Sequence, residues 1–151
     1  MTLDKVRAMV GQALPPSAWV DMTQADVTAF ANLTGDFADI HTDPGSRAAR
    51  DFGGTVAQGF FSLSLLTSMV YQVLPDITGH TGLNYGFDRI RFVAPVPAGS
   101  RLRGHLTLVD LTEVSEGQQQ LTWGVTIELE NAEKPAVVAK WLTRYIETKN
   151  A

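Results

Sequence analysis

The stretch Val56-Ala57-Gln58-Gly59-Phe60-Phe61-Ser62-Leu63-Ser64-Leu65-Leu66-Thr67-Ser68-Met69-Val70-Tyr71-Gln72-Val73-Leu74, closed by Pro75, holds no charged residue and is apolar or small nearly all round. A helix of that kind is buried, either in lipid or in protein. Gln58, Ser62, Ser64, Thr67, Ser68 and Gln72 are spread along it, Gly53, Gly54 and Gly59 weaken its start, and Asp51 and Asp76 bracket it, so a membrane span is the poorer reading. The pattern predicts a central helix surrounded by protein, and such a helix needs a broad apolar surface to lie on.

The C-terminal half supplies that surface. Leu83, Tyr85 and Phe87 alternate with more polar residues, and the alternation resumes at Ile90 and Phe92 after a break near Asp88-Arg89 that suggests a bulge. Beyond the connection Pro95-Val96-Pro97-Ala98-Gly99 come Leu102, Gly104, Leu106 and Leu108. Leu121, Trp123, Val125, Ile127 and Leu129 follow, and then Val137, Ala139, Trp141, Thr143 and Tyr145, all at a period of two. Glu116-Gly117 and Asn131 to Pro135 punctuate these strands as turns. Helices first and then an antiparallel strand meander predict one α+β domain over residues 1–151, a sheet wrapped round the central helix.

Upstream, Leu3, Val6, Val10 and Leu14 predict a short amphipathic helix stopped by Pro15-Pro16, and Trp19-Val20 a short extended piece. Thr23 reads as an N-cap, Val27, Phe30, Ala31 and Thr34 as one helix face, and Gly35 as its end. Asp36 then opens a loop, and Asp43-Pro44 reads as cap and first position of another short helix carrying Arg47, Ala48 and Ala49.

The 151 residues, 44% hydrophobic and 19% charged, suit a single core, and a net charge of −4 offers no general attraction for nucleic acid or an anionic membrane. The chain has no cysteine, which excludes a disulfide framework, a thiolate metal site and a cysteine nucleophile. Charges at Asp4, Lys5 and Arg7 interrupt what would be the apolar run of a signal peptide, so the expectation is a cytoplasmic protein.

Asp36 and His41, five residues apart, are the leading candidates for chemistry. A carboxylate beside an imidazole can activate water and support its addition to a polarised double bond, or the reverse elimination. On residue chemistry alone, a helix-capping Asp36 beside a loop-bracing His41 is the commoner arrangement, and His41 with Asp39 or Asp43 is a minor metal alternative. Gly59 opens the central helix, where free backbone N–H groups can face developing negative charge, although glycine there also eases a tight turn. Gln58 and Thr67 are polar groups on a buried segment and must find partners, in ligand or in backbone. Arg89, Arg91, Arg101 and Arg103 form two same-facing pairs, suited to carrier phosphates or to a solvated strand face. His80 and His105 sit in no such constellation, and no serine lies in a nucleophile elbow.

Thr34-Gly35-Asp36 through His41-Thr42-Asp43, followed by Phe52-Gly53-Gly54-Thr55-Val56-Ala57-Gln58-Gly59-Phe60, resembles the MaoC-like dehydratases, also called the hydratase 2 or R-specific enoyl-CoA hydratase family. Leu83 to Phe92 and Pro95 to Ser100 look like the branch that includes NodN-type nodulation proteins. The likeness spans roughly residues 18 to 147 and keeps its order. It implies a hot-dog fold, a homodimer with acyl tunnels near its interface, and R-specific hydration of trans-2-enoyl-CoA thioesters to R-3-hydroxyacyl-CoA, or the reverse, with no metal or organic cofactor. By matching position it implies Asp36 and His41 as the water-handling pair, the Gly59 N–H as donor to the thioester oxygen, and Thr67 at the place of a serine that supports the pair; Gln58 and Thr67 are the expected substrate-binding residues. The sequence departs from the family pattern at Ala38, where an amide is common, at Asp39, and at Gln58, where histidine usually precedes the glycine. Those departures motivate one alternative, a non-catalytic acyl-thioester or metabolite binder; a thioesterase is a further one, since the implied fold permits thioester hydrolysis.

Overall fold

The central helix lies against the inner face of a strongly curled sheet, and the structure, a computed structural model, describes residues 1–148. The elements are α1 (Leu3–Arg7), β1 (Val20–Asp21), α2 (Gln24–Thr34), α3 (Asp39–Thr42), α4 (Arg47–Arg50), α5 (Gly59–Ser64), α6 (Leu66–Val73), β2 (His80–Phe92), β3 (Arg101–Ser115), β4 (Gln118–Leu129) and β5 (Val137–Glu147). The sheet is antiparallel throughout, in the order β1-β3-β4-β5-β2. Strands β3, β4 and β5 form the expected meander. Strand β2 does not join it next to β3 but pairs with β5 at the far edge, from His80↔Glu147 to Phe92↔Val137. The expected bulge at Asp88 is present as a register shift between Phe87 and Arg89, and a second shift lies between Asn84 and Gly86.

The period-two residues behave as their spacing demands. Leu102, Leu106, Leu108, Leu121, Trp123, Val125, Ile127 and Trp141 are buried on one face and meet Leu66, Met69 and Val70 of α6. Helix and sheet approach closely at Gly104, where an added Cβ would stand 3.0 Å from the Met69 sulfur and 3.1 Å from its Cβ. Gly104→Val is therefore expected to destabilise the fold by about 1–3 kcal/mol through overpacking. Gly86→Ala, with open space around the position, serves as the control. Urea midpoints measure both, and equal midpoints would contradict the close approach.

Three expectations need correction. The central helix begins at Gly59 rather than Val56, because Thr55 to Ala57 lie extended beside residues 96–98: the Ala57 N–H donates to the Val96 carbonyl at 2.8 Å and the Ala98 N–H to the Thr55 carbonyl at 2.9 Å. It is also broken at Leu65. The Ser64 and Ser68 hydroxyls donate back to the Phe61 and Leu65 carbonyls, both at 2.8 Å, and compete there with the helical ladder. Nor is it surrounded by protein, since Phe60 is 71% and Tyr71 69% exposed.

The N-terminal helix stops at Arg7 instead of reaching Leu14. Residues 11–17 run along β3 instead, with Gly11, Leu14 and Ser17 N–H groups bonded to the Leu108, Leu106 and Gly104 carbonyls. They cover one sheet edge, whereas among the described residues no strand pairs with the outer edge of β2. The short helix after the site is capped by Ser46, whose hydroxyl accepts from the Ala49 N–H at 3.0 Å, and not by Asp43, which accepts from the Gly45 N–H at 2.8 Å. It ends at Arg50, and the turn that follows closes at Gly53 (φ 75°), with Gly53 and Gly54 N–H groups reaching back to the Arg50 and Ala49 carbonyls.

Candidate active site

Helix α2 delivers Asp36. Thr23 caps it, accepting from the Asp26 N–H at 3.1 Å, and Gly35 at φ 78° closes it with an N–H to the Ala31 carbonyl. The left-handed glycine ends the helix and places Asp36 beyond it. His41 comes from α3, a single turn with no buried residue whose N-cap, Ala38, offers no side-chain bond. Tertiary bonds hold the imidazole instead. Its Nδ1 lies 2.7 Å from the Val56 carbonyl, and since a carbonyl only accepts, Nδ1 carries the proton. Nε2 is thereby left to face outward.

Nε2 of His41 stands 3.7 Å from Oδ2 of Asp36, with the imidazole 15% and the carboxylate 47% exposed. That separation is too long for a direct hydrogen bond, yet one water oxygen can lie about 2.8 Å from both atoms. The pair stands at the surface beside the exposed Phe37 and outside the hollows along the central helix.

Gly59 lines a hollow of 180 Å³ with Val56, Phe92 and Val96. A Cβ at Gly59 would come within 3.1 Å of the Phe92 ring, so the glycine has a packing reason independent of any ligand. As the first residue of α5, its N–H has no partner inside the helix. Thr67 lies about 12 Å farther along the helix. It faces a groove between the helix and strands β2 and β5, made of adjoining hollows of 240 and 270 Å³ that share Thr67, Asn84 and Trp141. A third, of 500 Å³, continues past Tyr71 and Tyr145. Burial pushes the Tyr145 phenol up from its ordinary pKa.

Gln58 does not reach the groove. Its side chain is 2% exposed and turned towards α2, where Nε2 donates to the Val27 carbonyl at 3.3 Å, while Oε1 is buried without a partner among the described residues. The expectation of a substrate contact there gives way to that of a brace between α5 and α2. Gln58→Met keeps the volume and removes the orphaned oxygen. It should leave stability unchanged or raise it by up to about 1 kcal/mol, with KM unaltered. A raised KM in steady-state kinetics would restore the substrate contact.

The arginine pairs divide. Arg103 Nε donates to Glu128 at 2.6 Å, Arg101 is paired with Glu130, and Trp19 stacks on both guanidinium groups. Arg103 and His105 hold the Glu128 carboxyl below its usual range. Arg101 and Arg103 are thus committed to the outer sheet face, whereas Arg89 and Arg91 remain exposed on β2. The His80 ring bonds the nearby Thr78 carbonyl, at 3.1 Å. Among the described residues no group of three or more His, Cys, Asp or Glu is placed to hold a metal ion, and no helix is long and apolar enough to cross a membrane.

Two residues at the site were given no role by the sequence. The Gln24 amide donates from Nε2 to the His41 carbonyl at 2.9 Å, and the hydroxyl of buried Thr55 donates to Gln24 Oε1. Only folding brings residues 24, 41 and 55 together.

The family pattern described as MaoC like domain matches residues 5–130. Nodulation protein N of Rhizobium meliloti (strain 1021) is 41% identical over 144 residues, which cover 94% of this chain and 89% of that protein. The 3-hydroxyacyl-thioester dehydratase Z of Mycobacterium tuberculosis (strain ATCC 25618 / H37Rv) is 41% identical over 139 residues, 92% of each chain. Among solved structures, the (R)-hydratase from A. caviae aligns with a TM-score of 0.69 at 27% identity, over 89% of this chain and 94% of that one. The MaoC-like dehydratase from Rhodospirillum rubrum aligns with a TM-score of 0.76 at 20% identity, over 100% of this chain and 99% of that one, a likeness of fold alone. A curled antiparallel sheet around a central helix and likenesses that run through the Asp36 to Gly59 segment agree: the chain belongs to the MaoC-like dehydratase family, beside nodulation protein N and 3-hydroxyacyl-thioester dehydratase Z.

Proposed function

We propose that this protein is a hydro-lyase that adds water to trans-2-enoyl thioesters to give R-3-hydroxyacyl thioesters, or removes it, with coenzyme A as the thiol. The observation that carries the reading is the meeting of Asp36 Oδ2 and His41 Nε2 at 3.7 Å, with the other imidazole nitrogen tied to Val56. A water between them has a carboxylate to take a proton and an imidazole to orient it. As its oxygen bonds to the β-carbon, charge moves to the thioester oxygen, where the Gly59 N–H is the proposed donor. A proton returned to the α-carbon completes the addition of H and OH across the double bond. The two proton transfers belong to the coupled pair as a unit. Protein groups suffice for this chemistry, so the proposal includes no metal or organic cofactor.

The acyl chain is assigned to the groove past Phe60 and Thr67. Exposed Phe60 and Tyr71, together with exposed Leu83, Tyr85 and Phe92 on the open β2 edge, support a homodimer that covers this face. A cytoplasmic location belongs to the same proposal, supported by a chain without cysteine. The test follows loss of enoyl-thioester absorbance with short, medium and branched enoyl-CoA substrates. A folded protein inert to all of them would sink the reading. Tight binding without turnover would replace it with an acyl-thioester binder, and release of free thiol with a thioesterase.

A further inference from the structure

We infer that Gln24 and Thr55 are a positioning pair for His41, setting where its imidazole stands relative to Asp36 and Gly59; the inference rests on the hydratase reading above. Helix α3 cannot position His41 by itself. It is one turn long, buries no residue and has no side-chain cap, and an isolated turn is unstable in water. Bonds from α2 and from the segment around Val56 hold it, with Thr55 acting through Gln24. Gln24 Nε2 donates to the His41 carbonyl at 2.9 Å. The Thr55 hydroxyl donates to Gln24 Oε1. His41 Nδ1 donates to the Val56 carbonyl at 2.7 Å, and the Val56 N–H donates to the Ile40 carbonyl at 3.0 Å.

These bonds close a ring that runs from Gln24 to His41, Val56, Thr55 and back. The amide of Gln24 is planar and its donor and acceptor ends are rigidly coupled, so it holds the His41 main chain and the Thr55 hydroxyl at a set spacing. Its orientation is determined by its partners: a carbonyl can only accept, and the Thr55 hydroxyl has a proton to give. Thr55 is buried and adjoins Val56, and the chain from Val56 reaches Gly59 within three residues. The ring therefore couples the imidazole to the segment that presents the Gly59 N–H. Neither Gln24 nor Thr55 touches the water position, so their effect passes through His41.

Loss of either member should misplace the imidazole. With enoyl-CoA as substrate, Gln24→Met and Thr55→Val are each expected to lower kcat by about 10- to 100-fold, leaving KM within about threefold. Thr55→Ser, which keeps the hydroxyl, should recover most of the rate, and the double variant should be little slower than either single one. Ring nitrogen NMR of His41 provides a readout separate from turnover. Its Nδ1–H signal, sharp in the parent, should broaden in Gln24→Met and Thr55→Val and return in Thr55→Ser. If Thr55→Val does not fold, partly exposed Gln24→Met carries the test. Unchanged kcat and an unchanged His41 signal in folded variants overturn the inference, as does a Thr55→Ser variant as impaired as Thr55→Val. Should the parent be inert to enoyl-CoA, the hydratase reading fails and the NMR comparison alone decides the positioning role.

Discussion

Asp36→Asn is expected to lower kcat for enoyl-thioester hydration by about 10²- to 10⁴-fold, the usual contribution of a positioned general base. The substitution keeps the shape of the side chain and removes its capacity to take a proton. Half-exposed Asp36 lies near His41 at 3.7 Å, beyond direct hydrogen-bond range, so little stability is at stake and the loss should appear in rate. His41→Asn separates two roles of the imidazole. Its amide can still donate towards the Val56 carbonyl from near the Nδ1 position, but nothing then stands where Nε2 stood, and a loss of similar size is expected. Because the two groups handle one water, the double variant should be about as slow as either single one. Steady-state kinetics at matched folding, monitored by circular dichroism, measures all three. Either single variant retaining activity within about threefold of the parent would remove that residue from the mechanism.

Trp123→Ala should cost about 3–5 kcal/mol, a large share of the 5–15 kcal/mol that holds a typical domain. Trp123 is fully buried in the middle of β4, opposite Trp141 of β5, and its indole N–H donates to the Thr143 hydroxyl oxygen at 3.0 Å. Truncation to alanine opens a cavity at the centre of the sheet's inner face and strands that oxygen. Trp123→Phe keeps most of the apolar volume but loses the donor, so a smaller cost of about 1–3 kcal/mol is expected. Urea unfolding orders the three proteins, and a loss below about 1 kcal/mol for alanine would mean that this tryptophan does not anchor the core.

The strands were the most legible part of the sequence because their side chains alternate between two faces with different solvents. Leu121 to Leu129 needs only local spacing to declare its buried face. Thr23 and Gly35 were equally legible, as cap chemistry acts within a few residues of the helix end that it satisfies. The pairing of β2 with β5 was not, since adjacency between distant strands leaves no local periodicity. The central helix misled for a related reason. Its apolar outer face at Phe60 and Tyr71 reads as core in sequence, whereas in the single chain it lies open; burial pattern does not say whether the covering surface belongs to the same molecule.

At the site, the residue types of Asp36 and His41 made water chemistry readable, and the ordered motif through Gly59 made the family readable, before any geometry. Those are properties of local sequence: ionisable groups, a helix stop and a helix start. Tertiary structure decided that Nδ1 of His41 is occupied and Nε2 free, that Gln58 turns inward towards α2, and that Gln24 and Thr55 hold the loop. Each depends on a hydrogen bond between residues 15 to 31 positions apart. Such a bond exists only once packing has brought donor and acceptor together, and no spacing along the chain records it.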